Sequence, residues 1–249
     1  MNARLYVVHG SHPCATVERA LELKGIPYRT VELPPAMHAP IQRVMFGRRT
    51  VPGLRLNGER ISGSRAIVAR LEQLQPDPPL FPPDPAARAR VEEAERWGDD
   101  TFQPIARRVL WFALRRNPQA ALSYSEHSRL PMPAPMVRAS MPLIARAEFA
   151  LNQITDDAVG ADLEALPGYL NRIDGWIGEG VIGGEQPNAA DLQIASTLRL
   201  LMTLEDVRPL IERRPAGRLT LRLFPERDGR MPSGSLPAAW LPEPAATAG

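Results

Sequence analysis

The chain has 249 residues, 44% hydrophobic and 23% charged, ordinary for a globular protein and enough for one large domain or two smaller ones. Its net charge is only +2, and because Lys24 is the sole lysine among 30 basic residues, the arginine richness reads as coding bias and lends no weight to nucleic-acid binding. Cys14 is the single cysteine and His9, His12, His38 and His127 lack ligand spacing, which excludes internal disulfides, a Cys-rich metal site and dithiol redox chemistry.

Leu5–Val8 is a short apolar run with a buried-strand pattern, too brief for a signal-peptide core, and it ends at His9-Gly10-Ser11. With no later stretch of membrane length, these features predict a reducing, cytoplasmic setting. Thr16–Lys24 predicts a helix with apolar Val17, Ala20, Leu21 and Leu23, stopped by Gly25 and Pro27. Tyr28–Leu33 predicts a second strand, Pro34-Pro35 interrupt it, and Ile41–Phe46 suits a short helix. Thr50–Leu56 carries a turn and a third strand. Asn57-Gly58 then signals a hairpin into strand Arg60-Ile61. Ser64–Leu74 predicts a helix with Ile67, Val68, Leu71 and Leu74 on one face. The order β-α-β-α-β-β-α implies a parallel crossover followed by an antiparallel edge.

Gln75–Pro85 holds six prolines in eleven residues, a linker composition. Ala86–Arg116 predicts one long helix kinked at Pro104, and Ser123–Pro135 a polar loop. Further helices are expected over Met136–Ile154, Ala161–Ile177, Ala189–Met202 and Val207–Arg213. From Pro225 the composition turns to Pro, Gly and Ala, which suits an ordered strap or a frayed tail.

Four segments in this order carry a resemblance. Ser11-His12-Pro13-Cys14 leads into Val17–Tyr28; Arg49-Thr50-Val51-Pro52 precedes the third strand; Ile61-Ser62-Gly63-Ser64-Arg65-Ala66-Ile67 opens a helix; and Gly183–Ile194 contains Pro187-Asn188-Ala189-Ala190-Asp191. Together they resemble the soluble, cytosolic-type glutathione S-transferases, here a bacterial member, over about residues 4–215. The resemblance implies a thioredoxin-like N-terminal domain, βαβ-α-ββα, at 1–76. A Pro-rich linker at 77–86, an all-helical substrate domain at 87–224 and an extension at 225–249 follow. It also implies a cytoplasmic homodimer that joins glutathione or a related low-molecular-weight thiol to an electrophilic small molecule, as in detoxification. Neither a metal nor a nucleic-acid or membrane partner is expected.

By that resemblance Ser11 is the catalytic residue, a hydroxyl at a helix N-terminus where unpaired N–H groups favour a thiolate. Alternatively it only caps its helix. Val51 and Pro52, across a cis bond, present backbone groups to the thiol's cysteinyl part, unless Pro52 is merely a loop proline. Ser64, with Arg65 beside it, offers hydroxyl and N–H to a carboxylate. Gly63 departs from the family at the position of an acid that meets the ligand's amino group, so another thiol is an open alternative. Cys14 is either a monothiol nucleophile or a small buried residue. Asn188 and Asp191 read as a capping box without catalytic part.

Arg107, Trp111 and Arg115 form one helical stripe. With His12 and Cys14 they are the candidate substrate pocket, an Arg holding an anion and Trp111 stacking on an apolar group; a solvated Arg face is the other reading. Two other functions stay open: a non-catalytic binding or assembly module of this fold, and catalysis of another reaction such as isomerisation or dehalogenation.

Overall fold

The computed structural model describes residues 2–35, 37–130 and 133–242. Strand β1 (Ala3–Val7) alternates inward Ala3, Leu5 and Val7 with outward Arg4 and Tyr6, and is followed by helix α1 (His12–Leu23). Strand β2 (Tyr28–Glu32), helix α2 (His38–Phe46), the hairpin β3 (Gly53–Leu56) and β4 (Glu59–Ser62), and helix α3 (Ser64–Leu74) complete a thioredoxin-like unit. Sheet order is β2-β1-β3-β4, with β1 and β2 parallel and the other pairs antiparallel. Leu5, Leu54 and Leu56 on one sheet face share a core with Val17 and Leu21 of α1 and Ile67 and Leu71 of α3. α1 starts four residues before the expected Thr16, because Pro13 is tolerated in a first turn whose N–H groups lack helical partners anyway.

The proline-rich segment is tied down by the sole lysine. Lys24 is buried, and its ammonium group donates to the Glu72 carboxylate, to the Gln75 carbonyl at 2.6 Å and to the Pro78 carbonyl at 2.8 Å. Glu72 also accepts from the Leu80 amide at 3.0 Å.

The expected single helix over Ala86–Arg116 is interrupted. Helix α4 (Pro85–Trp97) passes through a π-helical turn at Gly98–Phe102 into helix α5 (Gln103–Arg116). Pro104 has no N–H to donate, and the Gln103 amide reaches the Gly98 carbonyl five residues back. A 3-10 helix at Pro118–Ser125 takes up the first part of the expected polar loop; Pro131 and Met132 of that loop lie outside the described residues. Helices α6 (Ala134–Leu151), α7 (Asp156–Gly178), α8 (Ala189–Leu201), α9 (Arg208–Ile211) and α10 (Pro215–Leu223) follow. α10 is not among the expected helices; its buried Ala216, Leu219, Thr220 and Leu223 are interleaved with Arg218 and Arg222.

α8 is the centre of the molecule. Almost every side chain in it is buried, Asn188 and Asp191 form a reciprocal capping box, and α1, α4, α5 and α10 pack around it. Polar bonds cross between it and the α/β unit, Thr16 to Ser196 at 2.8 Å and Ser64 to Gln193 at 3.1 Å. Residues 225–242 return as a strap: Met231 pairs with Thr203 and Glu205, and Trp240 packs on Phe112. Residues 243–249 of the expected extension lie outside the described residues. No described helix is long and apolar enough to cross a membrane.

Candidate functional site

β1 runs out at Val8, and Gly10 at φ +73° turns the chain into α1. Ser11 sits at the N-cap, yet its side chain accepts no backbone N–H from the first turn, so the cap reading is not what the hydroxyl does. The hydroxyl lies within hydrogen-bonding reach of the Cys14 thiol. Burial pushes that thiol up to about 12, which keeps Cys14 protonated at neutral pH and unsuited to nucleophilic attack.

One cleft of about 220 Å³ collects Ser11 and His12 from α1, Thr50 and Val51 ahead of β3, and Arg107 and Trp111 from α5. The Val51-Pro52 peptide is cis. Leu110, Met141 and Ile144 supply the apolar wall, and Glu148 and Asn152 its polar end. Arg107 donates to Gln103 Oε1 at 2.8 Å and Asn152 Oδ1 at 3.4 Å, and burial holds its guanidinium below the usual arginine value. His12 is buried, with Nε2 unpartnered among the described residues; burial first, then the charges of Arg107 and Arg227, hold it well below 6.5, so the ring is neutral.

The other expected residues lie elsewhere. Ser64 is buried and its hydroxyl is engaged by Gln193, because the start of α3 is packed against α8. Gly63, at φ +92°, takes the N-cap of α3. Arg65 faces the Glu95 carboxylate at 3.5 Å, and neither Ser64 nor Arg65 lines the cleft. Arg115 lies over Phe149, 4.4 Å from the ring centre, and pairs with Asp156 at 3.3 Å, away from the cleft. Cys14 lines a second, polar recess behind the turn, together with Glu18, Arg199 and Arg227.

Arg227 and Tyr124 were not anticipated. The Arg227 guanidinium donates to the Gly10 carbonyl, so the C-terminal strap braces the turn that presents Ser11. Burial brings Arg227 down to about 10, which leaves it charged at neutral pH. Beside it Asp228 accepts from His9 at 2.7 Å and His127 at 2.6 Å, and this carboxylate raises the His127 pKa. A partner 217 residues away in a Pro/Gly-rich tail leaves no periodic or motif signal. Tyr124 lines the cleft and bonds Thr203 at 2.8 Å. Among the described residues no group of His, Cys, Asp or Glu is arranged to hold a metal.

Residues 5–79 match the family described as glutathione S-transferase, N-terminal domain. This stretch therefore belongs to that transferase family. Around it the chain shares its fold with solved transferases. One is glutathione transferase F7 from Populus trichocarpa (TM-score 0.61, 14% identity, 88% of this chain and 92% of that one). Another is a glutathione S-transferase from Methylobacterium radiotolerans JCM 2831 in complex with glutathione sulfonate (0.53, 22%, 90% of each chain). FzlA from C. crescentus is similar to the same extent (0.55, 18%, 89% and 92%). At these identities the likeness is one of fold. No curated protein matches the sequence. Within the transferase-family domain, Ser11 and Val51 both face the cleft, whereas Ser64 is turned to α8.

Proposed function

We propose that the chain binds a glutathione-type thiol with its sulfur at Ser11 and adds it to an electrophilic small molecule held against α5. The observation that carries this is one cleft in which the N-terminus of α1, Val51, Arg107 and Trp111 meet. A free thiol near pKa 8.5 is mostly protonated at neutral pH, and raising its thiolate fraction tenfold to a hundredfold takes about 1.4–2.7 kcal/mol. One hydroxyl donor and the helix terminus together supply that much. The thiol proton leaves to water, the sulfur lone pair forms the carbon–sulfur bond, and the displaced electron pair leaves with the departing group or rests on the acceptor. Arg107 suits an anionic group on the electrophile and Trp111 a flat apolar one. Cytoplasmic location, a homodimer and a part in detoxification belong to this proposal as family properties.

A second reading is supported by Ser64 and Gly63. With the Ser64 hydroxyl given to Gln193 and no acid at 63, two groups that would grip the γ-glutamyl end are missing, which favours a weaker or different thiol, another reaction, or a binding module without catalysis. Calorimetric titration of glutathione and other small thiols into wild type and Ser11→Ala separates these. Binding with an ionised thiol in wild type, lost as ionisation in Ser11→Ala, supports the enzyme. No thiol bound at millimolar concentration sinks it.

A further inference from the structure

The sheet has a second face, and its chemistry is unlike anything in the cleft. Register pairs Arg4 with Arg29 on β2, Arg4 with Arg55 on β3, and Arg55 with Arg60 on β4. Directly paired residues point to the same side of a sheet, so these four arginines form one straight row across all four strands. All four are exposed. The next row on this face, Val31, Tyr6, Gly53 and Ser62, is where α2 sits, with Phe46 against Tyr6 and close over Gly53. α2 thus covers one row and leaves the arginine row exposed, touching it only at Arg60, which donates to the Met45 carbonyl at 3.2 Å.

Arg43, Arg48 and Arg49, also exposed, extend the charge from α2 toward β3. Among the described residues none of these seven arginines forms an ion pair. Glu59, the acid nearest in sequence, pairs with Arg70 instead. Like charges directly opposite each other weaken a sheet, so the free protein carries a cost that an anionic partner removes. Coding bias explains arginine in place of lysine; it does not explain four in register with no acid among them.

We propose that this row is a docking surface for an acidic helix of a partner protein. Strands lie about 4.8 Å apart, so the row spans about 14 Å. Glutamates at i, i+4, i+7 and i+11 of a helix lie about 5–6 Å apart in a line of about 16 Å, a match in both spacing and length. The guanidinium fork takes a carboxylate bidentately. A nucleic acid fits less well: the row has no aromatic side chain on which a base could stack, and no helix or ribbon projects from it toward a groove.

The test is fluorescence anisotropy on the full chain with a labelled peptide of about 16 residues. It carries four glutamates at that helical spacing on an Ala/Gln background. A scrambled peptide of equal composition and a short DNA duplex are the comparisons, at about 50 mM salt so that screening is weak. The patterned peptide binds several-fold tighter than the scrambled one, and Arg4→Glu/Arg55→Glu weakens it by at least about tenfold. Arg138→Glu/Arg146→Glu, two exposed sites on α6, leaves it unchanged. Circular dichroism confirms the fold of each variant, and Arg4→Gln/Arg55→Gln replaces the charge reversal if that one unfolds. Absence of binding, equal binding of both peptides, tighter binding of duplex DNA, or indifference to the Arg4/Arg55 changes each overturns the proposal.

Discussion

Ser11 stands at the N-cap of α1 without capping it, and its hydroxyl faces both the cleft and the protonated Cys14 thiol. If it stabilises a thiolate, Ser11→Ala returns the bound thiol toward its ordinary ionisation near 8.5, read as loss of thiolate absorbance in the ultraviolet, and slows conjugation at neutral pH by about tenfold or more. Arg107 stands on the opposite wall, desolvated, with the charges of Glu148 and Asp99 near it but no ion pair among the described residues. Arg107→Met is expected to raise KM for anionic electrophiles by about tenfold while leaving neutral ones within about twofold, since only the former lose a charge-assisted bond. Serine at a strand-to-helix turn was legible in the sequence. That Ser64 would give its hydroxyl to Gln193, 129 positions away, was not, because a buried side-chain pair of this kind depends on how two helices meet.

At the scale of elements, the β-α-β-α-β-β-α order and the Asn57-Gly58 hairpin were readable because strand alternation and turn chemistry are local. Breaks set by packing were less so. Gly98, at the start of the π-helical turn, allows the close approach of α8: a Cβ there would meet Ile194 at 3.1 Å and Gln193 at 3.2 Å. α10 is hard to read from sequence because its nine residues carry arginine at 218 and 222 beside a narrow apolar stripe. α8 itself depends on its cap. Asn188→Ala removes the bond to the Asp191 amide and that to the Val181 carbonyl, at an expected cost of about 1–2 kcal/mol in urea denaturation, with the cleft residues untouched.

Across the whole molecule, Lys24 holds the proline-rich crossing in place through one carboxylate and several carbonyls. Lys24→Met strands Glu72 and those carbonyls, and is expected to cost about 3 kcal/mol, whereas exposed arginines such as Arg146 change stability by no more than about 0.5 kcal/mol. Burial also sets a pH dependence. Glu95, ordinarily near 4.5, is held up at about 7, chiefly by burial and against the pull of Arg65; Glu18 is likewise raised to about 7. Between 4.5 and about 7 these carboxyls bind a proton in the native state but not in the unfolded one, so stability falls as pH rises through that window. His12, held below 6.5, works in the opposite direction below that value, so the difference between variants isolates the carboxyl: in urea denaturation Glu95→Gln should lose on the order of 2 kcal/mol less stability than wild type between pH 5 and 8.

Periodicity, turn residues and the ordered motifs around Ser11, Val51-Pro52 and Asn188 determined the element types, the thioredoxin-like start and the helical remainder, because each is a property of neighbouring residues. Which side chains share the cleft was decided only by tertiary packing. α5 and α6 bring Arg107, Trp111 and Met141 to Ser11, α8 draws Ser64 away from it, and a strap returning from the far end of the chain sets Arg227 on Gly10. The same is true of the arginine row. Arg4, Arg29, Arg55 and Arg60 are scattered along the sequence and become one charged line only when strand register places them side by side.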